Sequence, residues 1–223
     1  GNEEVKQLLS SFVDGGRIPH ALLIEGPIGS GRRTLARIIA RAALCTSSSE
    51  KPCGVCAHCI KSAGDNHPDI QEIADDGKAN PYKKALIKDM RNNAYVTPNE
   101  AQRRVIILPD MQRMDELNQN VLLKILEEPP EYLVFIITCE NRSQLLATVQ
   151  SRIIGVCLGS VENEIAARII RQILPDTSKA DALQAATVFG GIIGQAAAGL
   201  SDGSYRNMLE LAPEFALAVI KPD

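Results

Sequence analysis

The chain has 223 residues, 45% of them hydrophobic, enough for one α/β domain and a smaller second one. A formal net charge of -3 argues against a dedicated basic nucleic-acid binder, though a local basic patch stays open. The lack of Trp argues against a base-stacking platform, and the longest apolar runs, Val105–Leu108 and Val134–Ile137, are far too short to span a membrane.

From the N-terminus, Gly1-Asn2-Glu3-Glu4 is acidic and helix-like, so no signal peptide is expected and a cytoplasmic protein fits. Val5, Leu8, Leu9 and Phe12 share one helical face, and Gly15-Gly16 ends that helix. Ala21–Ile24 is a short apolar run that opens into Gly26-Pro27-Ile28-Gly29-Ser30-Gly31. A helical pattern follows, with Leu35, Ile38, Ile39 and Ala42. Beyond a cysteine-rich stretch lie four more strand candidates: Asp69–Ile73, Arg104–Leu108, Leu133–Thr138 and Ile153–Leu158. Helical patterns between most of them predict a parallel five-stranded sheet with helices on both faces. After Gly159, Glu162–Leu174, Lys179–Val188 and Gly191–Leu200 predict three helices, and Tyr205–Ile220 another. The ending Lys221-Pro222-Asp223 buries little, so a continuation of the native protein beyond it is expected.

Strand, glycine loop and helix are the setting of a phosphate-binding loop, G-x-x-x-x-G-K-[ST]. The glycines Gly26, Gly29 and Gly31 fit, but Arg32 stands at the lysine position and Arg33 at the hydroxyl position that would hold Mg²⁺. A planar guanidinium is no substitute for a compact ammonium, and at the Mg²⁺ position it repels the metal. Thr34 comes one residue late, which on a helix turns the side chain by about 100°. A P-loop ATPase also needs an acid at the end of a neighbouring strand. Val105–Leu108 ends in Pro109-Asp110, so proline takes the metal position and Asp110 is the remaining acid. Three readings stay open: a plain glycine turn, anion or nucleotide binding without hydrolysis at a helix N-terminus flanked by arginines, and an active hydrolase.

Cys45-x7-Cys53-x2-Cys56-x2-Cys59 places four thiols in one short stretch. Tetrahedral coordination of a structural Zn²⁺ is the natural reading, against a set of free thiols in a loop. In a reducing compartment, ligands or free thiols are favoured over disulfides. His58 competes as a ligand, but its place beside Cys59 would strain the geometry. Cys139 and Cys157 lie at strand ends and are expected to pack.

Ile18-Pro-His-Ala-Leu-Leu-Ile-Glu-Gly-Pro27, the four-cysteine spacing, His67-Pro-Asp69, Asn120-Val-Leu-Leu-Lys-Ile-Leu-Glu-Glu-Pro-Pro130 and Gln150-Ser-Arg152 follow in that order. With them the chain resembles the clamp-loader subunits of bacterial DNA polymerase III, and its defective loop resembles the delta-prime branch rather than the ATP-hydrolysing tau/gamma branch. The resemblance implies an AAA+ module: a RecA-like domain over residues 1–159 with a zinc module at about 45–60, a helical lid over 160–203, and the start of a collar domain over 204–223. It implies partners: tau/gamma and delta subunits, the sliding clamp and primer–template DNA, with no membrane. It also implies membership of a nucleotidyltransferase holoenzyme, with no ATPase activity of its own and ATP not bound productively. Ser151-Arg152 matches the family's Ser-Arg-Cys motif, with Ile153 in place of the cysteine. In that family the arginine reaches a neighbour's ATP; without the resemblance, Arg152 would be an exposed arginine at a strand start. ATP-using relatives carry a lid arginine near the position of Gly194–Ala198, where this chain has none. The alternative is a tau/gamma-type motor with an unorthodox loop. For the helix Val121–Glu128, packing beside the nucleotide site and approach of DNA are both open.

Overall fold

The computed structural model describes residues 2–15, 18–73 and 82–208, together with Leu211. Helix α1 (Glu3–Asp14) precedes β1 (Ala21–Glu25), α2 (Arg32–Leu44), α3 (Ala57–Ala63), β2 (Ile70–Glu72), α4 (Lys84–Ala94), β3 (Arg104–Leu108), α5 (Glu116–Glu127), β4 (Leu133–Cys139), α6 (Ala147–Gln150) and β5 (Ile154–Cys157). Helices α7 (Asn163–Ile173), α8 (Lys179–Val188) and α9 (Ile193–Asp202) follow. Most of the helix expected over Tyr205–Ile220, and Gly16, lie outside the described residues.

The strands form one five-stranded sheet in the order β2-β3-β4-β1-β5, and every pairing is parallel. Alternate side chains of a strand point to opposite faces, so a sheet covered on both sides needs apolar residues at every position. β3 and β4 are buried along their whole length and are apolar except at Arg104 and Thr138. Ile106, Leu108, Phe135 and Ile137 face one core, which α4 and α5 close with Ile87, Met90, Leu122, Ile125 and Leu126. Val105, Ile107, Val134 and Ile136 face the other, closed by Leu9 of α1 and Ala36, Ile39, Ala40 and Leu44 of α2. Leu8, expected on the buried face of α1, is exposed. Cys139 is fully buried, and burial pushes its thiol up to about 11, in keeping with a packing role. Cys157 is exposed, contrary to the packing expectation, because β5 is an edge strand whose side chains are mostly uncovered.

Two compact units divide the chain: residues 3–26 with 32–158, and residues 1–2, 27–31 and 159–223. The second has its own core, in which small residues (Ala166, Ala167, Ala182, Ala185, Ala186 and Ala196) let α7, α8 and α9 approach closely around Ile170 and Tyr205. α9 begins at Ile193 rather than at Gly191, since Gly190 and Gly191 have φ of 57° and 76°, outside the helical region. Among the described residues no single helix is long and apolar enough to cross a membrane.

Asp69, just before β2, anchors the loop that leads into β3. Its carboxylate is buried and accepts backbone N–H bonds from Asn99 (2.6 Å), Glu100 (2.8 Å) and Ala101 (2.9 Å). Burial opposes ionisation, but the three donors outweigh it and hold the group below the ordinary carboxylate range. The folded-state pKa is therefore depressed. The stabilisation is present above about pH 4, the unfolded value, and is lost as pH falls through the lower folded value. Asp69→Asn should cost about 3 kcal/mol at pH 7, as expected when a buried, hydrogen-bonded charge is removed. Denaturant unfolding of the two proteins should show that gap at pH 7 and a narrowing gap below about pH 4.

Candidate functional site

The loop between β1 and α2 turns through glycines with φ of 84° at Gly29 and 92° at Gly31, conformations that suit glycine alone. Gly29 O accepts the Gly194 N–H at 2.9 Å, and a Cβ on Gly29 would lie 2.7 Å from the Gln195 backbone nitrogen. Gln195 also donates through Nε2 to Ile28 O at 2.9 Å. The Gln195 side-chain amide therefore meets the loop.

Arg32 heads α2 and is buried, with 8% of its surface exposed. Its Nη1 donates to Gly26 O at 2.7 Å and its Nη2 to Asp110 Oδ1 at 2.9 Å. Asp110 adopts the left-handed conformation (φ 51°), and its N–H is held by Thr138 Oγ1 at 2.9 Å. The one acid at the end of β3 is thus already neutralised by a fixed cation that never deprotonates. Arg33 is drawn aside: its Nε donates to Glu72 Oε1 at 2.6 Å, and Arg37 Nε to Oε2 at 2.7 Å. Burial opposes the Glu72 charge, but the Arg37 and Arg33 bonds outweigh it and lower its pKa. Thr34 is exposed.

The four cysteines converge. Their sulfurs lie within 4.8 Å of one another, with Cys53–Cys59 and Cys45–Cys56 at 4.0 Å. Thiolates about 2.3 Å from a tetrahedral ion stand about 3.8 Å apart, so the set fits a four-thiolate ion. Backbone N–H groups of Cys53, Cys56 and Cys59 point at sulfurs of Cys45, Cys53 and Cys56, each at 3.4 Å, and would support thiolate charge. Burial works against the Cys56 thiolate, but donors from Thr46 and Cys59 take it down to about 5. Burial pushes Cys59 up to about 12, so a cation at the centre would be needed to ionise it.

His58 does not join this set. Its Nδ1 meets His67 Nε2 at 2.8 Å. His67 Nδ1 accepts the Asp69 N–H at 3.0 Å, so the neutral ring carries its proton on Nε2 and donates it to His58. Although His58, His67 and Glu100 lie close enough to suggest a second metal site, that tautomer turns a proton toward the centre, and Glu100 is bonded to Lys61.

Arg152 lies in the turn between α6 and β5, not at a strand start, and is only partly exposed. Its Nη2 donates to Glu127 Oε1 at 2.7 Å, and its Nη1 to Thr148 O at 2.6 Å and Ser151 Oγ at 3.1 Å. Sequence reasoning gave no role to Glu72, Gln195 or Glu127. Each acts across a long sequence separation that no local pattern marks, although Glu127 lies inside the quoted Asn120–Pro130 run.

The doubly wound sheet, the glycine loop between its first strand and helix, and the helical unit that follows define a P-loop module of the AAA+ type. Solved structures share that fold. A DNA polymerase III gamma subunit-related protein of Thermotoga maritima superposes with a TM-score of 0.55 at 20% identity, over 79% of this chain and 56% of its own. The Thermotoga maritima RuvB Holliday junction branch migration motor gives 0.57 at 20% identity, over 96% and 64%. The family model described as DNA polymerase III, delta subunit matches residues 1–162, and the chain belongs to that family. It is 36% identical to DNA polymerase III subunit gamma/tau of Mycobacterium bovis over 68% of this chain and 26% of that protein. It is 31% identical to subunit delta' of Bacillus subtilis (66% and 44%) and 28% identical to subunit tau of Escherichia coli (96% and 32%). The chain therefore spans less than half the length of these curated relatives.

Titrating the reduced chain with Co²⁺, a spectroscopic probe for this geometry, should give a tetrahedral thiolate spectrum that saturates at about one ion per chain. Cys56→Ser should weaken that spectrum; an unchanged spectrum in the variant would rule out the four-cysteine site.

Proposed function

We propose that the chain is a delta-prime-like subunit of the DNA polymerase III clamp loader: a scaffold that does not hydrolyse ATP, helps load the sliding clamp onto primed DNA, and donates Arg152 in trans to the ATP site of a neighbouring tau/gamma subunit. The observation that carries the first part is the Arg32 bridge between Gly26 O and Asp110. Hydrolysis needs a mobile lysine on the phosphates, a hydroxyl on Mg²⁺ and a free acid for the metal. Here Arg32 is buried and doubly bonded, Arg33 is paired with Glu72, Pro109 stands beside Asp110, and Asp110 is spent on Arg32. An anion at the loop's helix N-terminus remains compatible with this arrangement.

The trans role rests on the Ser151-Arg152 motif and on the state of the side chain. Nη1 is engaged twice and Nη2 once, and among the described residues Nε–H has no hydrogen-bond partner. A guanidinium with a donor left over suits the developing charge of a γ-phosphate. The cysteine centre would hold a structural Zn²⁺, since four thiolates leave no open position for substrate. The tau/gamma motor reading draws on the gamma/tau relatives, three of them 36% identical. It requires Arg32 to leave Asp110.

Magnesium-dependent ATP turnover by the isolated chain should be absent. A rate that survives purification and vanishes in Arg32→Ala would establish the motor reading instead. In a reconstituted full-length complex, Arg152→Ala should leave assembly intact and lower DNA-stimulated hydrolysis at the neighbouring site. Trans arginines are worth about 10³–10⁵ in rate in GTPases, and a ring with several sites would show less. Unchanged hydrolysis and clamp loading would leave Arg152 a surface residue.

A further inference from the structure

Helix α5 carries the Asn120–Pro130 run, and it grips the Arg152 segment at two points. Near its start, buried Gln119 accepts the Leu146 N–H through Oε1 at 3.0 Å, at the entry to α6. At its last residue, Glu127 Oε1 receives Arg152 Nη2 at 2.7 Å. Between these points Leu122, Ile125 and Leu126 are locked into the core, so the helix that carries Glu127 cannot shift without opening that core. Ser151 completes the grip: its hydroxyl donates to Thr148 O at 3.0 Å and accepts Arg152 Nη1.

An arginine side chain has four rotatable bonds and loses much rotamer freedom when fixed. Here three hydrogen bonds restrict that freedom before any ligand arrives. Nη1 is tied to the α6 turn and Nη2 to Glu127, Nε–H has no partner among the described residues, and the side chain lines a cleft of about 400 Å³ with His20, Leu126, Ser151 and Ile154. We propose that Glu127 is a positioning residue for Arg152: it holds the guanidinium in one orientation so that its remaining donors meet the phosphoryl oxygens of the neighbour's ATP. This rests on the trans role of Arg152. Glu127 itself touches no substrate and acts through the arginine. The negative charge also keeps the guanidinium from collapsing onto other acceptors in the free chain, and one carboxylate leaves enough positive charge on the fork to attract a phosphate.

The test is a cycle in the reconstituted full-length complex: wild type, Glu127→Ala, Arg152→Ala and the double variant, with steady-state DNA-stimulated ATP hydrolysis as the readout. Displacing a catalytic group by about 1 Å can cost about 100-fold, so Glu127→Ala should lower kcat at the facing site by about tenfold or more, with the KM for ATP unchanged. It should add nothing in the Arg152→Ala background. Glu127→Gln, which keeps an oxygen for Nη2, should recover most of the rate, and all variants should melt with the wild type. A drop in Arg152→Ala with a normal or raised rate in Glu127→Ala overturns the positioning role alone. So does a further drop in the double variant, which would mean that Glu127 acts elsewhere. An Arg152→Ala complex equal to wild type overturns both the trans role and the positioning role.

Discussion

Strand β4 is buried on both faces along its whole length, and the geometry of the glycine loop hangs from its end. It pairs with β3 on one side and β1 on the other, so the two loops a P-loop protein needs leave the sheet on either side of it. Its last two residues then hold both: Cys139 O accepts the Gly26 N–H at 3.2 Å, and Thr138 Oγ1 accepts the Asp110 N–H at 2.9 Å. A parallel sheet offers this because all strands end on the same side, where ligands of open α/β sheets bind. Gly26 and Asp110 are close enough for one guanidinium to touch both only because β4 sets their spacing.

The frame that would position a phosphate, a metal and an acid is intact here, and the charges in it are rearranged. Arg32 points back to Gly26 and Asp110 instead of out to a ligand, and Arg33 leans to Glu72 at the sheet's edge. These are internal ion pairs, partly or wholly removed from water, where a charge left unpaired would be costly. The same residues that depart from the P-loop pattern thus pair with carboxylates and with the backbone inside the fold.

The α5–α6 contact is a second use of the same core. α5 closes one face of the sheet with Leu122, Ile125 and Leu126, and its polar residues Gln119 and Glu127 reach the α6 segment and Arg152. The Asn120–Pro130 run left two readings open in the sequence, packing and approach of DNA. In the fold its apolar residues pack, and its acid meets the arginine that the resemblance singled out.

Much was legible in the sequence because it depends on local spacing. Apolar runs marked β1, β3 and β4, since a strand covered on both faces is largely apolar, while β2 and β5 at the sheet's edges carry polar or exposed residues. The glycine pattern gave the loop, since positive φ demands glycine. The four cysteines gave the metal-capable cluster, since their spacing fits turns around an ion. The sequence also showed that Arg32, Arg33 and Pro109 depart from the residues a P-loop pattern calls for. It could not show where those arginines go. The partners of Arg32, Arg33 and Arg152 lie 78, 39 and 25 residues away, and the same charges could have faced solvent. Nor could it show that Cys157 is exposed or that His58 is taken by His67, because edge position and ring pairing follow from strand order and loop packing. Residue types decide which interactions are available to this chain; only the tertiary fold, by bringing distant charges within 3 Å in a buried setting, decides which of them are made.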